Sequence, residues 1–240
     1  MFLSIVIPTK NEELNLPFLL ESIKTQEFTD YEIIVADAQS TDKTRAIAVN
    51  FKARIIEGGK TTPGRNLGAA AALGQTLLFL DADVVLPNPK FLSDNLSEME
   101  RKHANVATCK VRPLSENVVD KALHGFYNAY AIGTEKIMPH APGFCIFAQK
   151  HAHDAINGFD EALNFAEDHD YVQRAKKAGF KFSILRSHPI MVSVRRVERD
   201  GRLGTAVRYT KAEIHKLARG HYKNEKDYVM GGDAYKPKAK

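Results

Sequence analysis

The sequence predicts a three-layer α/β protein: a mostly parallel sheet flanked by helices. Strand-like and helix-like stretches alternate as β-α-β-α-β-α-β through the first 85 residues, the order expected of crossovers between parallel strands. The fourth strand, Thr76-Leu77-Leu78-Phe79-Leu80, is wholly apolar, as a strand covered on both faces must be, and it closes on Asp81-Ala82-Asp83. The composition agrees: 240 residues, 44% hydrophobic and 26% charged, suit one globular domain or a domain with an appendage.

Each element has a local cause. Leu3-Ser4-Ile5-Val6-Ile7 is rich in β-formers and stops at Pro8. Glu13 to Lys24 places Leu16, Leu19, Leu20 and Ile23 at helical spacing. Tyr31 to Ala36 is the next strand, and Asp42 can cap a helix running to about Phe51. Arg54-Ile55-Ile56 is a short strand. Pro63 suits the first position of an alanine-rich helix reaching Gly74. Beyond Asp83 the pattern loosens. Helices are expected over Phe91–Lys102, Lys121–Lys136 and Asp168–Ala178, the last stopped by Gly179. Strands are expected over Val106–Val111, Gly143–Phe147 and Phe180–Leu185.

No apolar run approaches the ~18 residues of a membrane span. Residues 2–7 are too short, and lack the basic flank, for a signal peptide. A cytoplasmic chain is therefore expected. Cys109 and Cys145 have no metal-ligand spacing and are too few for a disulfide framework, so both read as reduced and buried. Charge is unevenly spread: Met191 to Lys240 carries thirteen Lys/Arg against six Asp/Glu, while the preceding 190 residues carry 21 against 23. A near-neutral body with a basic tail points to a polyanionic surface such as membrane lipid, nucleic acid or a phosphorylated acceptor.

The chemistry concentrates where strands end. Ligands of open α/β sheets bind at the carboxyl ends of the strands. The first junction, Ile7-Pro8-Thr9-Lys10-Asn11-Glu12, has neither a G-x-G-x-x-G turn nor a P-loop. It offers Thr9, Asn11 and Glu12 to a base or ribose, with helix capping by Asn11 as the alternative. The second offers Asp37 to a base N–H or ribose hydroxyl, with Ser40 and Asp42 shaping the turn. The third is Pro63-Gly64-Arg65-Asn66-Leu67-Gly68. Gly68 lets the helix approach the sheet, and Arg65, set against the helix dipole in the first turn, suits a pyrophosphate or a base carbonyl. The fourth sets Asp81 and Asp83 side by side. Two such carboxylates need a cation or a proton, and Mg²⁺ or Mn²⁺ carrying a diphosphate would serve; an Asp-rich turn is the alternative. Downstream, Glu167-Asp168-His169-Asp170 opens a helix. Crowding there can raise one carboxyl toward useful base strength, or the acids simply complement the dipole.

This ordered set resembles family 2 glycosyltransferases: Ile5 to Glu12, Asp37 with Ser40, Asp42 and Thr44, Gly64 to Gly68, Phe79 to Asp83, Pro142-Gly143-Phe144, Gly158-Phe159-Asp160-Glu161 and Glu167 to Asp170. The resemblance covers residues 3 to about 185. It implies a GT-A fold, with a Rossmann-like, mostly parallel sheet. It also implies a transferase of the hexosyltransferase class that uses a nucleotide-activated sugar with inversion. Donor contacts would be Pro8, Thr9, Asn11, Glu12, Asp37, Ser40, Arg65, Asp81 and Ala82. Asp83 would be the direct metal ligand, with Asp81 near ribose and metal. Asp168 would be the base and Glu167 would orient the acceptor or the base. Gly143 to Cys145 would line the acceptor side. His188 either completes the metal shell, as a downstream histidine does in some GT-A enzymes, or is structural.

The chain has no tryptophan, so the Gln-x-x-Arg-Trp motif of processive synthases is absent. Arg195-Arg196, at about that place, is a candidate for the diphosphate after loop closure. Expected divisions are a catalytic domain over 1–190, split near 85 into nucleotide-binding and acceptor-binding halves, and a basic extension over 191–240. In that extension Leu203, Val207, Ile214, Leu217 and Ala218 share one helical face. Arg208, Lys211, His215, Lys216 and Arg219 lie mostly opposite. Such a helix either lies on the inner, anionic face of a membrane near a lipid-linked acceptor or docks on the core. The expected cofactors are Mn²⁺ or Mg²⁺ and a nucleotide sugar, with a UDP-sugar favoured. The expected acceptor is a glycan or lipid-linked group. A GDP-mannose-dependent polyprenyl-phosphate mannosyltransferase and a non-catalytic nucleotide-sugar-binding protein are the alternatives. Nucleic-acid binding lacks an aromatic platform.

Overall fold

The structure, a computed structural model, describes residues 2–163, 166–195, 198 and 201. The four strands of the first half, β1 (Leu3–Thr9), β2 (Tyr31–Asp37), β3 (Arg54–Glu57) and β4 (Thr76–Leu80), run parallel in the order β3-β2-β1-β4. They are joined by α1 (Leu16–Lys24), α2 (Thr44–Asn50) and α3 (Thr61–Ala71). Successive side chains of a strand point to opposite faces, so each strand feeds two cores. Leu3, Ile5, Ile7, Leu78 and Leu80 pack with α1, while Val6, Leu77 and Phe79 pack on the other face with Ala69 of α3. Gly68 makes that contact possible: a Cβ there would stand 2.2 Å from Val6 Cγ1. Because β1 lies between β2 and β4, the strand order reverses beside it. The carboxyl ends of β1 and β4 thus flank the switch point, the place of the crevice in which ligands of such sheets bind.

The second half adds β5 (Val84–Val85), α4 (Phe91–Arg101), β6 (Val106–Pro113), α5 (Val118–Thr134), β7 (Cys145–Gln149), α6 (Lys150–Ala155), α7 (Glu167–Lys177) and β8 (Phe182–Val192). The sheet continues β4-β7-β6-β8-β5. β7 is antiparallel to β4 and β6, β5 is antiparallel to β8, and β6 and β8 are parallel, so four of the seven strand pairings are parallel. The antiparallel β4–β7 pair matters most for the site. It sets Cys145 opposite Leu80, and so delivers the 142–144 loop to the end of β4.

Several boundaries differ from the sequence reading for physical reasons. Helix α1 starts at Leu16 rather than Glu13, with Pro17 in its first turn, where a missing N–H costs nothing. Helix α3 starts at Thr61, which puts Pro63 third rather than first. Strand β8 runs to Val192 rather than stopping at Leu185. Leu185 pairs with Cys109 and Ile190 with Val111, so Arg186 to Pro189 form a bulge that needs no N–H from Pro189. Helix α6 and the two-residue β5 were not anticipated. Gly179 does end α7, at φ 89°. Cys109 and Cys145 are free and buried as expected, and cross-strand pairing brings their sulfurs to 3.5 Å. Arg196 and the helix expected over 203–219 lie outside the described residues. Among those described, no helix is long and apolar enough to cross a membrane.

Candidate active site

The first two βα loops lock together before any ligand is considered. Asp37, fully buried at the end of β2, accepts from Thr9 Oγ1 at 3.1 Å, Ser40 N at 3.0 Å, Ser40 Oγ at 2.6 Å and an Arg45 guanidinium nitrogen at 3.2 Å. Asn11 takes the left-handed conformation at φ 52°. Its N–H donates to Ser40 Oγ and its Oδ1 accepts from Thr41 N, both at 2.8 Å. Asn11 therefore staples two loops instead of capping α1. Asp42 accepts from Thr44 N at 2.9 Å and Glu13 N at 3.0 Å, which shapes the turn into α2. These hydrogen bonds hold its carboxyl below the usual range against a desolvation cost. These four protein donors around Asp37 tie together the loops that carry Pro8, Thr9 and Ser40. Pro8 packs beneath Gly64 of α3, where an added Cβ would come within 3.1 Å of Pro8 Cβ.

Beyond β4, alternation separates the triplet. The Ala82 methyl packs into the core, so only its backbone can meet a donor. The side chains of Asp81 and Asp83 remain 35% and 20% exposed. Asp81 pairs with Arg65 at 2.8 Å, and Asp83 with Arg195 at 3.1 Å. Arg195 also reaches Glu12 at 3.2 Å, and the Ser193 N–H bond to Asp83 O at 3.0 Å fixes its approach. Burial raises the Glu12 carboxyl and nearby Asp83 adds to this, although Arg195 opposes it. Two hard carboxylates beside a crevice fit Mg²⁺ or Mn²⁺ on donor chemistry. Among the described residues no three His, Cys, Asp or Glu groups are arranged to hold a metal unaided. Such an ion would take its other ligands from phosphate and water. His188 is not brought to these aspartates. It lies in the β8 bulge, with Nε2 2.7 Å from Asp94 of α4 and its N–H on Asn95.

Arg65 is the centre of the arrangement. The sequence reading aims it at the strand ends as a donor contact; in the structure it is there, and it is 1% exposed. Its guanidinium bridges Asp81 at 2.8 Å and Glu167 at 3.0 Å and lies 5.3 Å from the Phe159 ring centroid. Burial works against its charge, yet Asp81, Glu167 and Asp168 outweigh this and raise its pKa. Burial and the neighbouring Asp168 raise the Glu167 carboxyl against the pull of Arg65. Arg65 Nε is buried without a hydrogen-bond partner, an uncommon state for a charged donor.

Asp168 sits in the first turn of α7, behind Ala166 in the left-handed conformation at φ 58°. Its Oδ2 accepts from Gly143 N and its Oδ1 from His169 N, both at 2.7 Å. Gly143 was expected to admit the acceptor. What crowds it here is the protein itself: an added Cβ would meet Arg65 Nη2 at 2.8 Å and Asp168 Oδ2 at 3.2 Å. Asn66, next to Arg65, clamps the following loop. Its Oδ1 accepts from Phe159 N and its Nδ2 donates to Phe159 O, both at 2.9 Å. Sequence reasoning passed over this clamp, over Phe159 beneath Arg65, and over His140 and His169 near Asp168. The Gly158-Phe159 motif was the available signal for the first two.

Comparison with known proteins follows this geometry. The pattern of Glycosyl transferase family 2 matches residues 4–166. Poly(ribitol-phosphate) beta-N-acetylglucosaminyltransferase TarS of Staphylococcus aureus is 30% identical over 133 residues, covering 51% of this chain but 23% of TarS. A GalNAc(5)-diNAcBac-PP-undecaprenol beta-1,3-glucosyltransferase of Campylobacter jejuni is 33% identical over 109 residues, covering 42% of this chain and 34% of that enzyme. The chain thus spans about a third or less of the length of these relatives. In fold, TarS 1–349 in complex with UDP-GlcNAc superposes with a TM-score of 0.64 at 22% identity, over 80% of this chain and 58% of that one. The mannosyltransferase PcManGT of Pyrobaculum calidifontis, in complex with GDP-Man and Mn²⁺, gives 0.72 at 18% identity, over 92% and 65%. These neighbours share the GT-A architecture. With its family pattern matched over more than half its length, the chain belongs to glycosyl transferase family 2.

Proposed function

We propose that this chain is an inverting glycosyltransferase that moves a sugar from a nucleotide diphosphate to an acceptor hydroxyl or lipid phosphate. One observation carries the reading. Arg65 joins Asp81, at the donor end of β4, to Glu167, the neighbour of Asp168, so donor carboxylates and candidate base face one crevice. Backbone donors from Gly143 and His169 hold both Asp168 oxygens, which fixes the orientation of the carboxylate. In the reaction the acceptor oxygen attacks the anomeric carbon and the bond to the diphosphate breaks. Its electron pair leaves with the nucleotide, and the acceptor proton passes to Asp168. A divalent cation held by Asp81 and Asp83 would neutralise the diphosphate as charge develops on it. Thr9 and Ser40 present the nucleotide side, and Arg195, beside Glu12 and Asp83, is within the region a diphosphate would enter.

A UDP-sugar is the favoured donor, supported by the UDP-GlcNAc complex of TarS. A GDP-mannose reading is supported by PcManGT. An acceptor with an apolar portion is supported by the exposed Val118, Val119 and Phe126 of α5, with Ile137 just beyond it. The relative acting on an undecaprenol-linked substrate points the same way. The test is a thermal-shift screen of UDP, GDP, CDP and their sugars with Mn²⁺, Mg²⁺ or EDTA. One nucleotide should stabilise the protein, and EDTA should remove the shift. No shift with any pair would overturn the donor site.

A further inference from the structure

Asp168 must shed the proton it gains before it can act again. Its side chain is only 20% exposed, and a bound donor and acceptor would cover it further. From Asp168 a line of titratable groups leads away from the crevice. His169 Nε2 lies 4.0 Å from Asp168 Oδ1, a gap that one water or a small side-chain rotation closes. His169 Nδ1 lies 3.5 Å from His140 Nδ1, with the rings edge to face and centroids 4.8 Å apart. Two facing ring nitrogens can make a hydrogen bond only if one carries the hydrogen and the other is bare. His140 is 1% exposed, and its Nε2 lies 3.3 Å from Tyr130 Oη. Tyr130, on α5, is 36% exposed. The line therefore begins at the candidate base, passes through a buried histidine and ends at a tyrosine that is in part exposed. His140 also begins the loop whose Gly143 N–H holds Asp168, so one loop both orients the carboxylate and carries the next group along.

We propose that His169, His140 and Tyr130 form a proton exit path from Asp168. This rests on the base assignment above. The transfers balance without any co-reactant. The proton leaves Asp168 for His169 Nε2, the Nδ1 hydrogen of His169 passes to His140 Nδ1, and the Nε2 hydrogen of His140 passes to Tyr130 Oη. The phenol hydrogen of Tyr130 goes to water. Each group ends with as many hydrogens as it began with, and only tautomers change. Glu167 and Arg65, paired with each other, stand beside the Asp168 end of this line. His169 and His140 are relay groups, and the prediction is of slowed turnover with donor binding intact.

The test uses the full chain labelled with ¹⁵N-histidine. Ring-nitrogen spectra of the wild type should show one of the two facing Nδ1 atoms protonated and the other bare, and H140Q should change the tautomer balance of His169. Two bare Nδ1 atoms, with His169 indifferent to H140Q, would overturn the path whatever the donor is. Turnover of UDP-GlcNAc and GDP-mannose, with water as acceptor, supplies the second readout. H140Q and H169Q should lower the rate by about 10-fold, with added imidazole restoring it, and Y130F should raise the solvent isotope effect. If D168N is inactive while H140Q and H169Q keep wild-type rates, the path fails and the base stands. If D168N itself keeps its rate, the base assignment is what has failed.

Discussion

The two halves of the site reach order by different means. On the donor side the loops after β1 and β2 satisfy one another: Asn11 with Ser40 and Thr41, Asp37 with Thr9 and Ser40, Glu13 with Asp42. Apart from the local Asp37–Ser40 bond, these link residues about 30 positions apart, all at the ends of one pair of adjacent parallel strands. On the acceptor side the loops at 142–144 and 158–161 lean on adjacent residues of a donor-side helix, Arg65 and Asn66 of α3. One half is built from its own loops, and the other is hung from its neighbour. Damage to α3 should therefore disorder the acceptor side first, while damage to the donor loops should remain local.

The largest effect should come from Arg65→Met. It leaves Asp81 and Glu167 without their shared cation, and breaking a buried pair costs about 3–5 kcal/mol. Urea unfolding should show that loss, and Arg65→Lys should recover only part of it, because an ammonium lacks the fork that spans two carboxylates. A loss below ~1 kcal/mol for Arg65→Met would mean the halves do not depend on this link.

Acid should act next, through the face that α3 shares with α6 and α7. Burial lowers the His153 pKa to about 4, and the neutral ring bonds to Tyr171 at 3.0 Å. The unfolded histidine takes up a proton near its ordinary 6.5, whereas the folded one resists until about 4. Stability from this group is therefore complete above 6.5 and lost as pH falls toward 4, by about 3 kcal/mol. The unfolding free energy of His153→Gln should be flatter across this window; an unchanged slope would remove His153 as the cause.

A smaller effect is expected from Asn66→Ala, which frees Phe159 N and O. The loss should be about 1–3 kcal/mol, with faster amide exchange confined to residues near 158–161. Exchange that rises equally in the donor loops would contradict the asymmetry. The smallest should be Arg195→Ala. Glu12 is left buried but keeps its bond from Asn15, and Asp83 is one-fifth exposed to water, so the loss should be about 1 kcal/mol. Any larger consequence should appear in nucleotide-induced thermal shifts.

The same contrast explains what the sequence made legible. The four parallel strands were readable because each is a short apolar run ending in Pro8, Asp37, Glu57 or Asp81, and the site aspartates follow from strand ends. Gly68 and its packing on β1 were readable from a small residue in a helix that faces a sheet. Arg65 was found at the strand ends, but its burial was not. Its pattern marks a functional cation and says nothing of burial, which depends on Phe159 and Glu167 some hundred residues later. In the second half, β8 hides its length behind the polar Arg186-Ser187-His188-Pro189 bulge. The bulge exists because Glu98 and Asn95 of α4 take up its N–H groups. The His140–His169 contact has no local signal, since it arises only when the 140–143 loop meets α7.

The central claim is that Asp168 is the base on a donor site that forms without it. Asp168→Asn keeps the size and shape of the side chain and an oxygen for one of the two backbone N–H groups, but it cannot take the proton. The decisive measurement pairs transfer rate with nucleotide-dependent thermal shift for this variant and the wild type. The account predicts an unchanged shift and a rate lower by about 100-fold or more. A near-normal rate with an unchanged shift would contradict it.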